Sequence, residues 1–305
     1  MSSLSNAKLR KKDREVQRII SSNERRKAFS KENLASTLLT GYVPMIIAFL
    51  LIALPLVWMA FSSFKPVSEI VTLDPSLLPQ APTVDNYVQV ADRVPLGRVF
   101  RNSLIVTAVG TAVKLTLAIT SAYALVFIDF KYRNLFFMVI LVALMVPPEA
   151  ALIPNYMTIS ALGGRDTLWG IILPGLGTAF GTFLLRQQNK TLPAELLEAA
   201  ELDGAGHWRK LWQIVAPVTV PTIATVALIT VVTEWNSFLW PLVITDSPNK
   251  MTLPVGLNLL QSIESETGSF GVHMAGAVLV ILPVLILFAF LQRYIVAGLT
   301  QGAVK

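Results

Sequence analysis

The sequence predicts an all-α, polytopic membrane protein with six transmembrane helices, and three observations carry the prediction. Only 14% of the 305 residues are charged while 53% are hydrophobic, against about a quarter charged in an ordinary soluble domain. The apolar residues gather into runs close to the ~20 residues that a bilayer requires: Leu38–Phe61, Ser103–Ile128, Leu135–Ile159, Leu168–Leu185, Val218–Ile244 and Met274–Val296. The basic residues between these runs are unevenly shared, which sets an orientation.

Residues 1–37 form a basic N-terminal segment. Ten of the 25 Lys/Arg lie between Lys8 and Lys31, where a basic flank meets anionic headgroups at the inner face. The stretch is too long for a cleavable signal peptide, and no small-residue cleavage pattern follows the apolar run. Within it, Val16–Leu34 mixes charges with isolated apolar residues and suits either a helix along the inner headgroups or a basic tail without order. The net charge of +6 therefore points to membrane lipid, and no nucleic-acid partner is expected.

The transmembrane domain occupies residues 38–297. Its third and fourth spans carry prolines and glycines, which membrane helices tolerate where neighbours satisfy the freed backbone groups. With the N-terminus inside, eighteen Lys/Arg fall on the inner side, among them Lys131, Arg133, Arg186, Lys190, Arg209, Lys210, Arg293 and Lys305. Six fall outside: Lys65, Arg93, Arg98, Arg101, Arg165 and Lys250. Both termini are thus expected in the cytoplasm, and so is the segment 192–217, while the loops 62–102 and 245–273 face outward.

Several chemistries are excluded early. Cysteine is absent and there are two histidines, His207 and His273, so no metal site and no thiol nucleophile is expected; neither histidine is given a role. No GxxxxGK[ST] phosphate loop occurs, so ATP is not expected to bind this chain by that route. No nucleophile elbow or Ser/Lys dyad in a recognisable context is present. No catalytic residue is assigned.

One polar stretch interrupts the spans: EAAELDGAGHWRKLWQIVAPVTVP, residues 198–221. Pro193 suits a first helical turn and Glu195 and Glu198 favour a helix N-terminal half. Gly204 and Gly206 supply a backbone able to stop and turn. Trp208, Leu211, Trp212 and Val215 then recur at i, i+3, i+4 and i+7, with Arg209, Lys210 and Gln213 on other faces. The expected local structure is helix–turn–helix.

This segment resembles the EAA loop of the membrane-spanning subunits of bacterial ABC importers. The pattern is met by Glu198-Ala199-Ala200, Gly204, and Ile214 with Pro217, and the triplet Asp203-Gly204-Ala205 is also typical. The resemblance implies the type I ABC importer permease fold, with coupling helices that dock on an ATP-binding subunit and turn its closure into rocking of the spans. It implies as partners a second homologous permease, two ATP-binding subunits carrying ATP and Mg, and an extracytoplasmic substrate-binding protein. The stretches 153–175, 235–245 and 298–305 look like the carbohydrate-uptake branch, of which second-type permeases end in a tail such as GLTQGAVK. The basic N-terminal segment departs from that pattern. The implied location is a bacterial inner membrane.

Ionisable residues inside spans cost at least about 2.5 kcal/mol each to insert and are functional candidates by default. Lys114, Glu149 and Glu234 qualify, and Asn236 follows Glu234 closely; these four are expected along the translocation path. Lys114 suits an anionic substrate group, or pairs with Glu149 or Glu234 as a structural element. The stretches 102–125, 133–149 and 185–205 resemble most the glycerol-3-phosphate permeases, which implies a phosphorylated polyol such as sn-glycerol-3-phosphate. A neutral sugar or oligosaccharide is the alternative. An ATP-independent secondary transporter is a further one, but it should show paired internal repeats, and no convincing repeat is found.

Overall fold

The computed structural model describes residues 38–72, 76–260 and 270–301. No strand occurs among them, as the apolar runs and absent alternation require. The expected inner-surface helix Val16–Leu34 and the tail beyond Gln301 lie outside the described residues. The chain divides into two units, Met1–Met59 and Ala60–Lys305.

The first long helix, α1 (Val43–Ser62), is apolar along its length, with a mean hydropathy of 2.5 and no buried residue in its most apolar window. Met45, Phe49, Leu51 and Ile52 are all exposed, an apolar surface that a lipid environment covers. Two short helices follow, α2 (Val67–Ile70) and α3 (Asp85–Arg93).

The central pillar is α4 (Leu96–Phe127). Its 32 residues measure about 48 Å at 1.5 Å per residue, longer than a ~30 Å hydrocarbon core. It begins seven residues before the expected Ser103, because Arg98 and Arg101 end the apolar run without ending the helix. Its buried residues include Val99, Ser103, Val106, Gly110, Ala118, Ala122 and Tyr123.

The third span is not straight. α5 (Arg133–Leu144) and the helix from Pro148, continuing as α6 (Leu152–Ala161), are bent by 95°. Pro147 sits in extended backbone at φ −60°, ψ 134°, since two successive prolines remove two N–H donors and force the preceding residue from helix. The fourth span likewise breaks into α7 (Leu168–Ile172), with its short continuation to Gly175, and α8 (Ala179–Asn189), bent by 45°. Thr178 caps α8 by accepting from Gly181 N.

The polar segment gives α9 (Ala194–Leu202) and α10 (His207–Lys210), the latter prolonged by a wide turn Leu211–Val215 and by Ala216–Val218. It meets α11 (Val220–Trp235) at an 82° bend. The fifth span was expected over Val218–Ile244; instead α11 stops at Trp235 and α12 (Leu239–Ile244) starts anew. Pro241 explains the break. It falls in the first turn of α12, where a missing N–H costs nothing, whereas a continuous helix would carry it in its interior. The loop after α12 holds α13 (Leu253–Asn258), and the last described helix is α14 (Phe270–Gln301). Among the described residues, three helices are long and apolar enough to cross a membrane, or up to six if each bent pair is one span.

Among the described residues, three buried clusters hold the second unit together. One joins Val90, Val94, Val99, Trp235, Leu253 and Val272. It is tied by Asn102 Nδ2, which donates to Asn249 O and Met251 O, and by Leu253 N donating to Ser103 Oγ. The second joins Ala118, Ala122, Tyr123, Leu185, Leu211, Val215 and Val226. The third, between them, joins Val106, Ile159, Ile171 and Ile244. The first and second clusters mark two ends of the bundle, one with the outward-assigned loops and one with the polar elbow.

Candidate functional site

Two features stand out: the elbow between α9 and α10, and a cavity in the bundle. The elbow is closed by hydrogen bonding along the backbone. Gly204 N donates to Glu201 O at 2.9 Å and Ala205 N to Ala200 O at 2.9 Å, the paired bonds of a Schellman turn. Gly204 takes φ +71°, left-handed backbone that a side chain disfavours. Gly206 does not need its freedom, since it lies in extended backbone at φ −70°, ψ 166° as the N-cap of α10.

Of the EAA residues, Ala200 is buried whereas Glu198, Ala199 and Asp203 are exposed and Ala205 is half-buried. The four apolar positions of the second helix divide. Leu211 and Val215 enter the second core cluster. Trp208 and Trp212 pack edge to face, ring centroids 5.8 Å apart, and Trp208 remains 71% exposed. Leu202, the last residue of α9, is 90% exposed. The elbow tip therefore presents apolar side chains to its surroundings.

Lys210, expected off the apolar face of the second helix, is buried, with Nζ donating to Glu201 Oε1 at 2.5 Å. The reason is the turn, which folds α10 back so that a residue nine positions on reaches the end of α9. The Lys210 ammonium, through its hydrogen bond and then its charge, holds the Glu201 carboxyl below its usual range. His207, given no role by the sequence, has Nδ1 3.1 Å from Tyr123 Oη, joining the elbow to the end of α4. Neither contact has a signal in the sequence, because both depend on how the turn folds.

The cavity, of about 480 Å³, lies among α4, the Pro147-Pro148 break, the Pro174-Gly175 break and the end of α11. Its lining includes Asn155, Thr233, Ser237 and Trp240, and its charged side chains are Lys114 and Glu234. These two form an ion pair across α4 and α11, each side chain 14% exposed. Small residues make room for it. A Cβ on Gly110 would come within 3.1 Å of Glu234 Oε2, and one on Gly175 within 3.3 Å of Lys114 Nζ. The structure thus brings together two of the four expected path residues. Glu149 and Asn236 are exposed and do not line the cavity; Asn236 Nδ2 donates to Val232 O of its own helix.

At the far end, Arg165 makes two bonds to the Asp246 carboxylate, at 2.8 and 3.1 Å. Asp166, at φ +54°, accepts from Ser247 Oγ and from the Ser247 and Asp246 N–H groups. Partial burial would raise the Asp166 carboxyl, but the Ser247 and Asp246 donors outweigh it and hold it below the usual value. Two loops far apart in sequence are clamped there.

Comparison with known proteins places these features in context. Residues 114–301 match the family model described as binding-protein-dependent transport system inner membrane component. The arabinooligosaccharides transport system permease protein AraQ of Halalkalibacterium halodurans is 36% identical over 258 residues, covering 82% of this chain and 90% of that protein. The sn-glycerol-3-phosphate transport system permease protein UgpE of Brucella suis biovar 1 is 33% identical over 270 residues, covering 86% and 96%. Among solved structures, a bacterial ABC transporter involved in import of the acidic polysaccharide alginate superposes with a TM-score of 0.74 at 24% identity, covering 85% of this chain and 97% of that one. The alginate ABC transporter in complex with its pentasaccharide-bound periplasmic protein gives a TM-score of 0.62 at 15% identity.

Proposed function

The chain belongs to the family of binding-protein-dependent transport system inner membrane components, and from that premise we propose that it is one of two permease subunits of an ATP-driven sugar importer. It catalyses no covalent step. ATP and Mg are held by two partner ATPase subunits, and an extracytoplasmic binding protein delivers the substrate. The N- and C-termini and the elbow are cytoplasmic, in a bacterial inner membrane.

The observation that carries the proposal is the elbow. Glu198, Ala199, Ala200, Asp203, Gly204 and Ala205 form a turn fixed by backbone bonds and by Lys210–Glu201. Its exposed Leu202 and Trp208 are the kind of apolar anchors that dock in a partner's groove. Because the turn is tied to α4 through Tyr123 and to the core through Leu211 and Val215, a displacement applied at the tip passes to the spans. ATP-driven closure of the partners then rocks the bundle.

For the substrate, the cavity favours a neutral sugar or oligosaccharide. Its two charges cancel as an ion pair, and what remains is hydroxyl, amide and indole chemistry suited to polyols. A phosphorylated polyol, sn-glycerol-3-phosphate, is the second reading, supported by the likeness to the UgpE proteins; it requires an incoming phosphate to draw Lys114 from Glu234. Uptake in reconstituted vesicles containing the whole importer decides. On the first reading, a neutral oligosaccharide is transported and Lys114→Met with Glu234→Met together retains transport. Uptake of glycerol-3-phosphate alone, abolished by that double change, would establish the second.

A further inference from the structure

A second cavity, of about 500 Å³, opens beside the elbow, where α4 and α8 end and α5 and α9 begin. Its basic lining is Arg133, Arg186 and Lys190, and its acidic lining is Glu198 and Glu201. Arg186 is the unusual member. It is 7% exposed, and its guanidinium lies over the Phe137 ring, 3.6 Å from the centroid. Its Nε has no hydrogen-bond partner, and no described carboxylate lies within ion-pair distance of it.

A buried guanidinium without an anion is unfavourable, and here a like charge adds to it, since Arg133 repels Arg186. Arg133 has only a 3.7 Å contact with the fully exposed Asp129. On the acidic side, Glu201 is already neutralised by Lys210, so Glu198 alone faces three cations. The net charge of the cavity is positive.

We propose that this cavity binds the phosphate group of an anionic membrane phospholipid, with Arg186 as its central ligand and Arg133 and Lys190 at its rim. Stacking on Phe137 fixes the guanidinium plane, which leaves a planar fork of N–H donors matched to phosphate oxygens. The location argues for a headgroup as the source. Just beyond Arg133, the apolar side chains of Leu135, Phe136, Met138 and Val139 are all more than half exposed, a surface for acyl chains directly beside a basic pocket. Free inorganic phosphate shares the chemistry and is the competing source.

The full chain, purified with its accompanying subunits, tests this by native mass spectrometry after exchange into nanodiscs of phosphatidylglycerol or phosphatidylcholine. Retention of phosphatidylglycerol, lowered about tenfold in Arg186→Gln and only partly restored in Arg186→Lys, which keeps the charge but loses the planar fork, is the expected result. If Arg186→Gln does not accumulate, the surface changes Arg133→Gln and Lys190→Gln carry the test and should each weaken retention. Equal retention in wild type and variants overturns the proposal. Inorganic phosphate at millimolar concentration, tested on lipid-depleted protein, forms the other arm. Stabilisation by phosphate with no retained lipid overturns the headgroup as source, and binding of neither overturns the site.

Discussion

Lys114 and Glu234 meet where α4 and α11 pass, and each is enclosed enough that neither keeps its full hydration. Removing one partner strands the other charge, so Lys114→Met or Glu234→Met should lower stability by about 3–5 kcal/mol, while the double change recovers most of the loss. Chemical unfolding of the purified variants measures this, and equal losses for single and double changes would contradict the pairing. At the elbow, pH offers a second probe. Glu201 has a lowered folded-state pKa, owing to Lys210, so its contribution is complete above the unfolded value and disappears as pH falls through the folded one. Trp208 and Trp212 report locally. Their emission should change as pH falls below the ordinary glutamate range, and Lys210→Met should move that change to higher pH; an unmoved transition counts against the Lys210–Glu201 bond.

At the scale of elements, the turn between α9 and α10 depends on one left-handed residue. Gly204→Val places a β-branched side chain at φ +71°, a strain of order 1–3 kcal/mol, and the two Schellman bonds weaken with it. The expected outcome is a chain that still inserts in the membrane but no longer co-purifies with its ATPase partners and supports no uptake. Co-purification at the wild-type level would remove the elbow from the coupling. The broken spans follow a related logic. Pro147-Pro148 and Pro174-Gly175 lie at breaks that line the 480 Å³ cavity, and Pro241 sits in the first turn of α12 next to the lining residue Trp240, which is where irregular backbone is tolerated inside a bundle.

For the whole molecule, the orientation is the consequence open to direct measurement. The chain has no cysteine, so single replacements are clean reporters. Lys250→Cys should react with a membrane-impermeant maleimide on intact cells freed of outer barriers, whereas Lys131→Cys should react only after permeabilisation and Leu202→Cys should not react from outside. Reaction of Leu202→Cys from outside would place the elbow on the wrong side for coupling to ATP.

Composition and run length were enough to determine an all-helical membrane chain, because the cost of apolar surface in water and of bare backbone in lipid depends on residue type alone. The helix–turn–helix at 192–217 was equally legible, since Gly204 and the 3.6-residue spacing of Trp208, Leu211, Trp212 and Val215 act locally. Tertiary structure alone decided that Lys114 takes Glu234 rather than Glu149, and that Arg186 is buried against Phe137 without a described counter-charge. Those outcomes turn on distances between residues far apart along the chain, and no local pattern encodes which of several possible partners arrives within reach.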